Sequence, residues 1–189
     1  MNIGRKNIFN RLFIPAVLLF SAIFAYAQGL KSGIPAPAFK VISGNNKELA
    51  LDDIRGKAAV IFYETKDTTE KNRRLKDELN RFYDMQPDSV KKLILRIPVI
   101  NCKGVFFTEA WRNNLKEKSK KEGITIYGDW DGKMFSSYAI EDKESNLIII
   151  GRDGIVKYSF AGMVDEKDFG RIKDLLTVEA SLPEISSSP

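Results

Sequence analysis

Residues 58–70 read Ala58-Ala59-Val60-Ile61-Phe62-Tyr63-Glu64-Thr65-Lys66-Asp67-Thr68-Thr69-Glu70. The unbroken apolar run 58–63 has the length of a strand and lacks polar alternation, as expected of a strand buried on both faces of a parallel sheet. A polar turn follows, and beyond it Leu75, Leu79 and Phe82 fall at i, i+4 and i+7 of a helix. Asp67 or Thr68 is placed to cap that helix, and Asp67 with Glu70 has the spacing of a capping box. A second apolar run at 93–100 completes a strand–helix–strand unit, with Pro98 pointing to an edge or bulge near its end.

Reading outward toward the C-terminus, Cys102 lies just past that second strand. Thr108 is placed to cap a helix carrying Trp111 and Leu115, expected in the core, and the basic residues Lys116, Lys118, Lys120 and Lys121, with Gly123 as its stop. A short strand is expected at 124–127, then a loop-rich region, 128–145, in which Met134, Phe135, Tyr138 and Ile140 are spaced to pack a short helix. Strands at 147–150 and 155–160 are joined by Arg152-Asp153-Gly154, a strong hairpin signal. Asp165 caps a last helix whose stripe is Phe169, Ile172, Leu175 and Leu176. The Ser/Pro-rich residues 179–189 are expected to be a disordered tail. Toward the N-terminus, a hairpin at 39–51 turns through Ser43-Gly44-Asn45-Asn46, preceded by an extended arm with Pro35 and Pro37, expected to lie along the surface.

Arg5, Lys6 and Arg11, the apolar run 12–24 and Ala25-Tyr26-Ala27 have the order of a secretory signal peptide, residues 1–27, which implies export to the periplasm. The run is short for a bilayer span, so an uncleaved anchor is the lesser alternative. Position 28 is not cysteine, which argues against lipoprotein processing. The leader carries three basic residues and no acidic one, so its removal lowers the net charge from +5 to +2 and takes away the electrostatic case for nucleic-acid binding. Residues 28–178 suit one domain. With Cys102 as the single cysteine and no histidine, an internal disulfide, His/Cys zinc sites, haem attachment and histidine-based catalysis are all excluded.

The stretches Gly33-Ile34-Pro35-Ala36-Pro37-Ala38-Phe39, residues 51–57 and 60–63, Tyr138-Ala139-Ile140, Ile149-Ile150-Gly151-Arg152-Asp153-Gly154-Ile155-Val156 and Ala161-Gly162 together resemble peroxiredoxins and exported thiol-disulfide redoxins. The resemblance implies an α/β, thioredoxin-like fold with a central mixed sheet flanked by helices and an N-terminal β-hairpin extension. Glu70-Lys71-Asn72 is similar to the YtfJ-like group of periplasmic thioredoxin-fold proteins. The departures bear on function. Active thioredoxins place Cys-x-x-Cys where this chain has Lys66-Asp67-Thr68-Thr69-Glu70, and a cis-proline where it has Asp142-Lys143-Glu144-Ser145-Asn146. The peroxiredoxin Pro-x-x-x-Thr-x-x-Cys context is also missing. Dithiol exchange needs two thiols and is excluded within one molecule.

Four side chains, Glu64, Lys66, Asp67 and Glu70, stand at the place of the lost active site. With Ser145 and Asn146 in the facing loop they are the candidates for binding a ligand or partner. Simple helix capping is the plainer explanation for the acids. Cys102 is the one possible catalytic thiol, at a strand end and beside Lys103, although free cysteines are mostly buried and inert. Asp129-Trp130-Asp131-Gly132 lacks the further ligands of a calcium loop and reads as a turn, and the lysines of residues 116–121 read as a solvated face. The expectation is a non-enzymatic binding or accessory protein of the bacterial envelope, with no cofactor and no metal. Its partner is another envelope protein or peptide, and strong membrane binding is not expected. A single-cysteine redox or peroxidase-like activity at Cys102 is the alternative.

Overall fold

The computed structural model describes residues 30–183; the expected leader lies outside them, as does the tail from 184 onward. The central run forms β3 (Ala58–Glu64), every residue of which is buried. It is flanked by β4 (Ile94–Asn101), parallel, and β6 (Asn146–Ile150), antiparallel. The complete sheet adds β1 (Lys40–Ser43), β2 (Glu48–Ala50), β5 (Tyr127–Asp129) and β7 (Val156–Ala161), in the order β2-β1-β5-β4-β3-β6-β7.

Alternation along β3 divides the core. Val60 and Phe62 share one face with Leu147 and Ile149, covered by Leu75 and Leu79 of α1 (Arg73–Asp84) and Ile172 and Leu176 of α5 (Phe169–Ser181). Ala59, Ile61 and Tyr63 face the other way with Val99, Ile148 and Ile150, under Met134 of α4 (Lys133–Ser137) and Tyr138 just past it. Each fully buried Ile or Leu contributes roughly 1.5–3 kcal/mol, so the central strands carry much of the stability. α3 (Thr108–Glu122) buries only Leu115, with Trp111 half-buried beside it, and ends at Gly123 with φ 66°, as its stop signal requires.

Several sequence expectations are corrected. The arm contributes to the core through Leu30, Ala36 and Phe39, and hydrogen bonds with Val156 hold it against β7, because an edge strand offers unpaired backbone groups. The helix after β3 starts at Arg73, and the Asp67–Glu70 capping box does not form. Thr68 accepts instead from the Thr65 N–H at 2.9 Å, and successive turns fill residues 65–72. Phe107, not Thr108, occupies the N-cap of α3. The fifth strand begins at Tyr127, because Ser119 takes up the N–H groups of Ile124 and Ile126. Pro98 is in an interior strand, one residue before the stretch that pairs with β5, so it lies where β4 has a neighbour on one side only. A short α2 (Asp88–Lys91) was not anticipated.

The boundary set at 179 also falls. Glu179 is buried in α5, accepts from the Arg152 N–H at 3.0 Å and pairs with Lys157, while Arg152 donates to the Gly56 and Leu182 carbonyls. The last turn of the helix is thus fastened to the β6–β7 turn, which average composition cannot reveal.

Candidate functional site

Because β3 and β4 run parallel, their C-terminal ends lie at one pole of the sheet, where β6 begins and β7 ends. Glu64, the last residue of β3, is 3% exposed, with its carboxylate in a closed set of polar contacts. Lys76 of α1 donates to Glu64 Oε2 at 2.7 Å, and the Ser145 hydroxyl donates to Oε1 at 2.6 Å. Asn72 Nδ2 donates to Ser145 Oγ at 2.9 Å and to the Gly162 carbonyl at 2.8 Å, and its Oδ1 accepts from the Val164 N–H at 2.9 Å. The Gly162 N–H returns to the Ser145 carbonyl at 3.0 Å. One buried network therefore ties together the loop after β3, the loop before β6 and the loop after β7. Lys76 also donates to the Thr69 carbonyl at 2.7 Å and stands 5.2 Å from the centroid of the Phe62 ring.

Burial dominates the electrostatics of Glu64 and pushes its carboxyl up, against the opposing pull of Lys76 and Ser145. Asn146 makes a second closure. Its Nδ2 donates to the Glu141 carbonyl at 3.0 Å and the Glu144 carbonyl at 3.1 Å, and its Oδ1 accepts from the Glu141 N–H at 2.9 Å.

Of the residues singled out from sequence, Glu64, Ser145 and Asn146 are thus brought together and buried, whereas Lys66, Asp67 and Glu70 are exposed beside them. Glu70 forms a double contact with Arg73, whose hydrogen bonds hold its carboxyl below the usual range. Lys71 reaches across to the Lys143 carbonyl and the Glu144 carboxylate. Asn72 and Lys76, which complete the network, were not among the candidates: Asn72 entered only through the resemblance carried by Glu70-Lys71-Asn72, and nothing local to Lys76 marks its partner.

Cys102 lies at the same pole, just past the end of β4, but outside this network. Its side chain is 1% exposed and packed with Ile100, Leu115 and Ile126 under Trp111 and Trp130. Burial and then Asp129 push the thiol up to about 12, with Arg112 working against them. Only the thiolate is the nucleophile, and burial disfavours it here. Alkylation of Cys102 at neutral pH is expected to be slow in the folded protein and to proceed freely once denaturant unfolds it. A native rate within about tenfold of the unfolded one would contradict that placement.

Asp129, expected in a turn, is fully buried. Its Oδ2 accepts from the Tyr63 hydroxyl at 2.8 Å and from the Phe135 N–H at 2.9 Å, while Oδ1 has no hydrogen-bond partner among the described residues. Burial first, and Asp129 second, hold the Tyr63 phenol far above its ordinary range. The pair joins β3, β5 and α4. Among the described residues, no three potential metal ligands converge.

The sequence profile of the AhpC/TSA family matches residues 32–159. No curated protein matches the chain. Among solved structures it is similar to a proposed protein disulfide isomerase from Bacteroides thetaiotaomicron, with 15% identity, TM-score 0.63, and coverage of 81% of this chain and 92% of that one. It is also similar to a thiol peroxidase from Chromobacterium violaceum, with 18% identity, TM-score 0.55, and 80% and 88% covered. A third is the exposed lipoprotein thioredoxin of Streptococcus pneumoniae, with 14% identity, TM-score 0.53, and 74% and 99% covered. At such identities the likeness carries the fold alone, a thioredoxin-like α/β fold built on a mixed sheet of seven strands.

Proposed function

Given that the chain belongs to the AhpC/TSA family, we propose that it is a binding or accessory protein of the bacterial envelope, akin to the YtfJ-like group, which keeps the redoxin scaffold and performs no thiol chemistry. The observation that carries this reading is the network of Glu64, Lys76, Ser145 and Asn72, which fills the end of the sheet where redoxins hold their reactive sulfur. Each of those polar groups is already satisfied within the chain. A rigid platform results, with Lys66, Asp67 and Glu70 on its rim to meet an envelope protein or peptide. The exported leader read at residues 1–27 supports the compartment. The peroxidase-like alternative at Cys102 is disfavoured, since a thiol pushed up to about 12 and closed in by two tryptophans cannot meet a substrate.

The test has two arms. The purified protein is expected neither to reduce insulin disulfides nor to consume peroxide, with Cys102→Ser indistinguishable from wild type. Immobilised protein should retain an envelope partner that a Lys66→Glu/Asp67→Lys double variant loses. Redox turnover at the rates of active redoxins, or equal retention by the double variant, would overturn the proposal.

A further inference from the structure

Between α1 and α3 the sheet lacks a cover. The turn after β1 draws α3 away: Gly44 packs so closely on that helix that a Cβ there would stand 2.4 Å from the Arg112 carbonyl oxygen, and Arg112 stacks 4.8 Å from the Trp130 ring. α3 lies against β1, and the face of β4 that points toward the helices is left partly open at Arg96 and Pro98. A cavity of about 130 Å³ remains, floored by Phe62, Pro98, Ile100, Ile124 and Ile126.

Charge is unevenly distributed along this cleft. Its inner part holds Glu64, Glu70, Asp77 and Glu122 against Arg73, Lys76, Arg96 and Lys118, with Glu64 paired to Lys76 and Glu70 to Arg73, and with Lys118 at the junction with the outer part. The outer part runs over Ile100 and Thr69 into a mouth lined by Lys66, Lys118 and Lys121, with Trp111 beside them and Glu117 as the one acid. None of the three ammonium groups is ion-paired among the described residues. An apolar floor that leads to unpaired cations complements a molecule with an apolar body and one anionic end. The small inner volume admits one chain, not two.

We infer that the cleft between α1 and α3 is a binding site for a single-chain anionic amphiphile, a fatty-acid carboxylate whose head meets Lys66, Lys118 and Lys121 and whose tail lies over Ile100, Pro98 and Phe62. The tail gains by leaving water. The head replaces part of its hydration with charge-assisted hydrogen bonds at a mouth that stays wet. The inference does not depend on the absence of thiol chemistry or on a protein partner.

Dodecanoate and dodecyltrimethylammonium, each titrated calorimetrically below its micelle concentration, and dodecanol, presented below its solubility limit in competition with bound dodecanoate, test it. Dodecanoate is expected to bind with a Kd on the order of micromolar, dodecanol at least about tenfold more weakly, and the cationic amphiphile not at all. The Lys66→Glu/Lys118→Glu/Lys121→Glu variant changes exposed side chains only; it should weaken dodecanoate at least about tenfold while leaving dodecanol unaffected. Ile124→Glu, in the floor, should weaken both. No dodecanoate binding, equal affinity for dodecanoate and dodecanol, or undiminished binding by the triple variant would each overturn the assignment. Partner retention can fail or succeed independently of these titrations, so the two proposals are separable.

Discussion

Lys76→Met is expected to lower the stability of the domain by about 3 kcal/mol at pH 7, whereas Glu64→Gln, which breaks the same ion pair from the other side, is expected to be close to neutral, because it replaces the carboxylate by a group as uncharged as the protonated acid that burial favours. The asymmetry follows from burial: the Glu64 side chain is 3% exposed and that of Lys76 is 24% exposed. Without the ammonium group the carboxylate stays in a low-dielectric site with only the Ser145 hydroxyl to stabilise it, and leaving a charge there is the expensive case. Without the carboxylate the ammonium still reaches water, the Thr69 carbonyl and the face of Phe62. Urea unfolding of the two variants at pH 7 measures the difference, and equal costs would contradict this account.

The same pair sets a pH dependence. Glu64 is held above its ordinary carboxylate pKa in the folded state, so around that range the native protein binds more protons than the unfolded chain. Its contribution to stability is greatest below the unfolded value and declines as pH rises through the folded one. Glu64→Gln should remove that part of the decline. In Lys76→Met the carboxyl should rise further and the decline steepen, so the variant should recover stability on acidification.

Asn72→Ala is expected to cost about 3 kcal/mol as well. Its amide serves three partners from two different loops, and truncation strands the buried Val164 N–H and the Gly162 carbonyl, while Ser145 still has Glu64 as its acceptor. Each polar group left unsatisfied in a buried position costs about 1–3 kcal/mol. Hydrogen exchange supplies a local readout: the Val164 amide should lose protection in the variant to a greater degree than amides of β3. Asn72→Asp should be no better at neutral pH, because it removes both donors and adds a carboxylate one hydroxyl away from Glu64. Wild-type stability in Asn72→Ala would mean that the three loops are held by other contacts.

These expectations share a physical origin. Where redoxins present sulfur at the end of the sheet, this chain has internal hydrogen bonds, and the groups in those bonds are no longer offered to a substrate. What remains available at that pole is the exposed rim of Lys66, Asp67 and Glu70, together with the cleft beyond it. Such a surface suits the binding role proposed above, while the thiol of Cys102 is buried and held above its ordinary pKa.

The sequence by itself determined the elements whose information is local or periodic. The apolar run of β3, the stripe of α5, the Asp153-Gly154 turn and Gly123 at the end of α3 each depend on residues a few positions apart, so the mixed sheet with its N-terminal hairpin could be read from them. The single cysteine likewise settled the loss of a dithiol without any coordinates. Only the tertiary structure decided which polar residues became buried. Glu64 bonds to Ser145 across 81 positions, Asn72 to Val164 across 92, and Arg152 to Glu179 across 27, separations at which no periodicity operates. The capping box misled for the same reason: Asp67 and Glu70 have the right spacing, but Thr65 and Thr68 close the turn first and Asn72 is engaged by distant loops. A polar side chain costs free energy when buried and is tolerated where every one of its hydrogen-bonding groups finds a partner. Those partners come from the assembled fold.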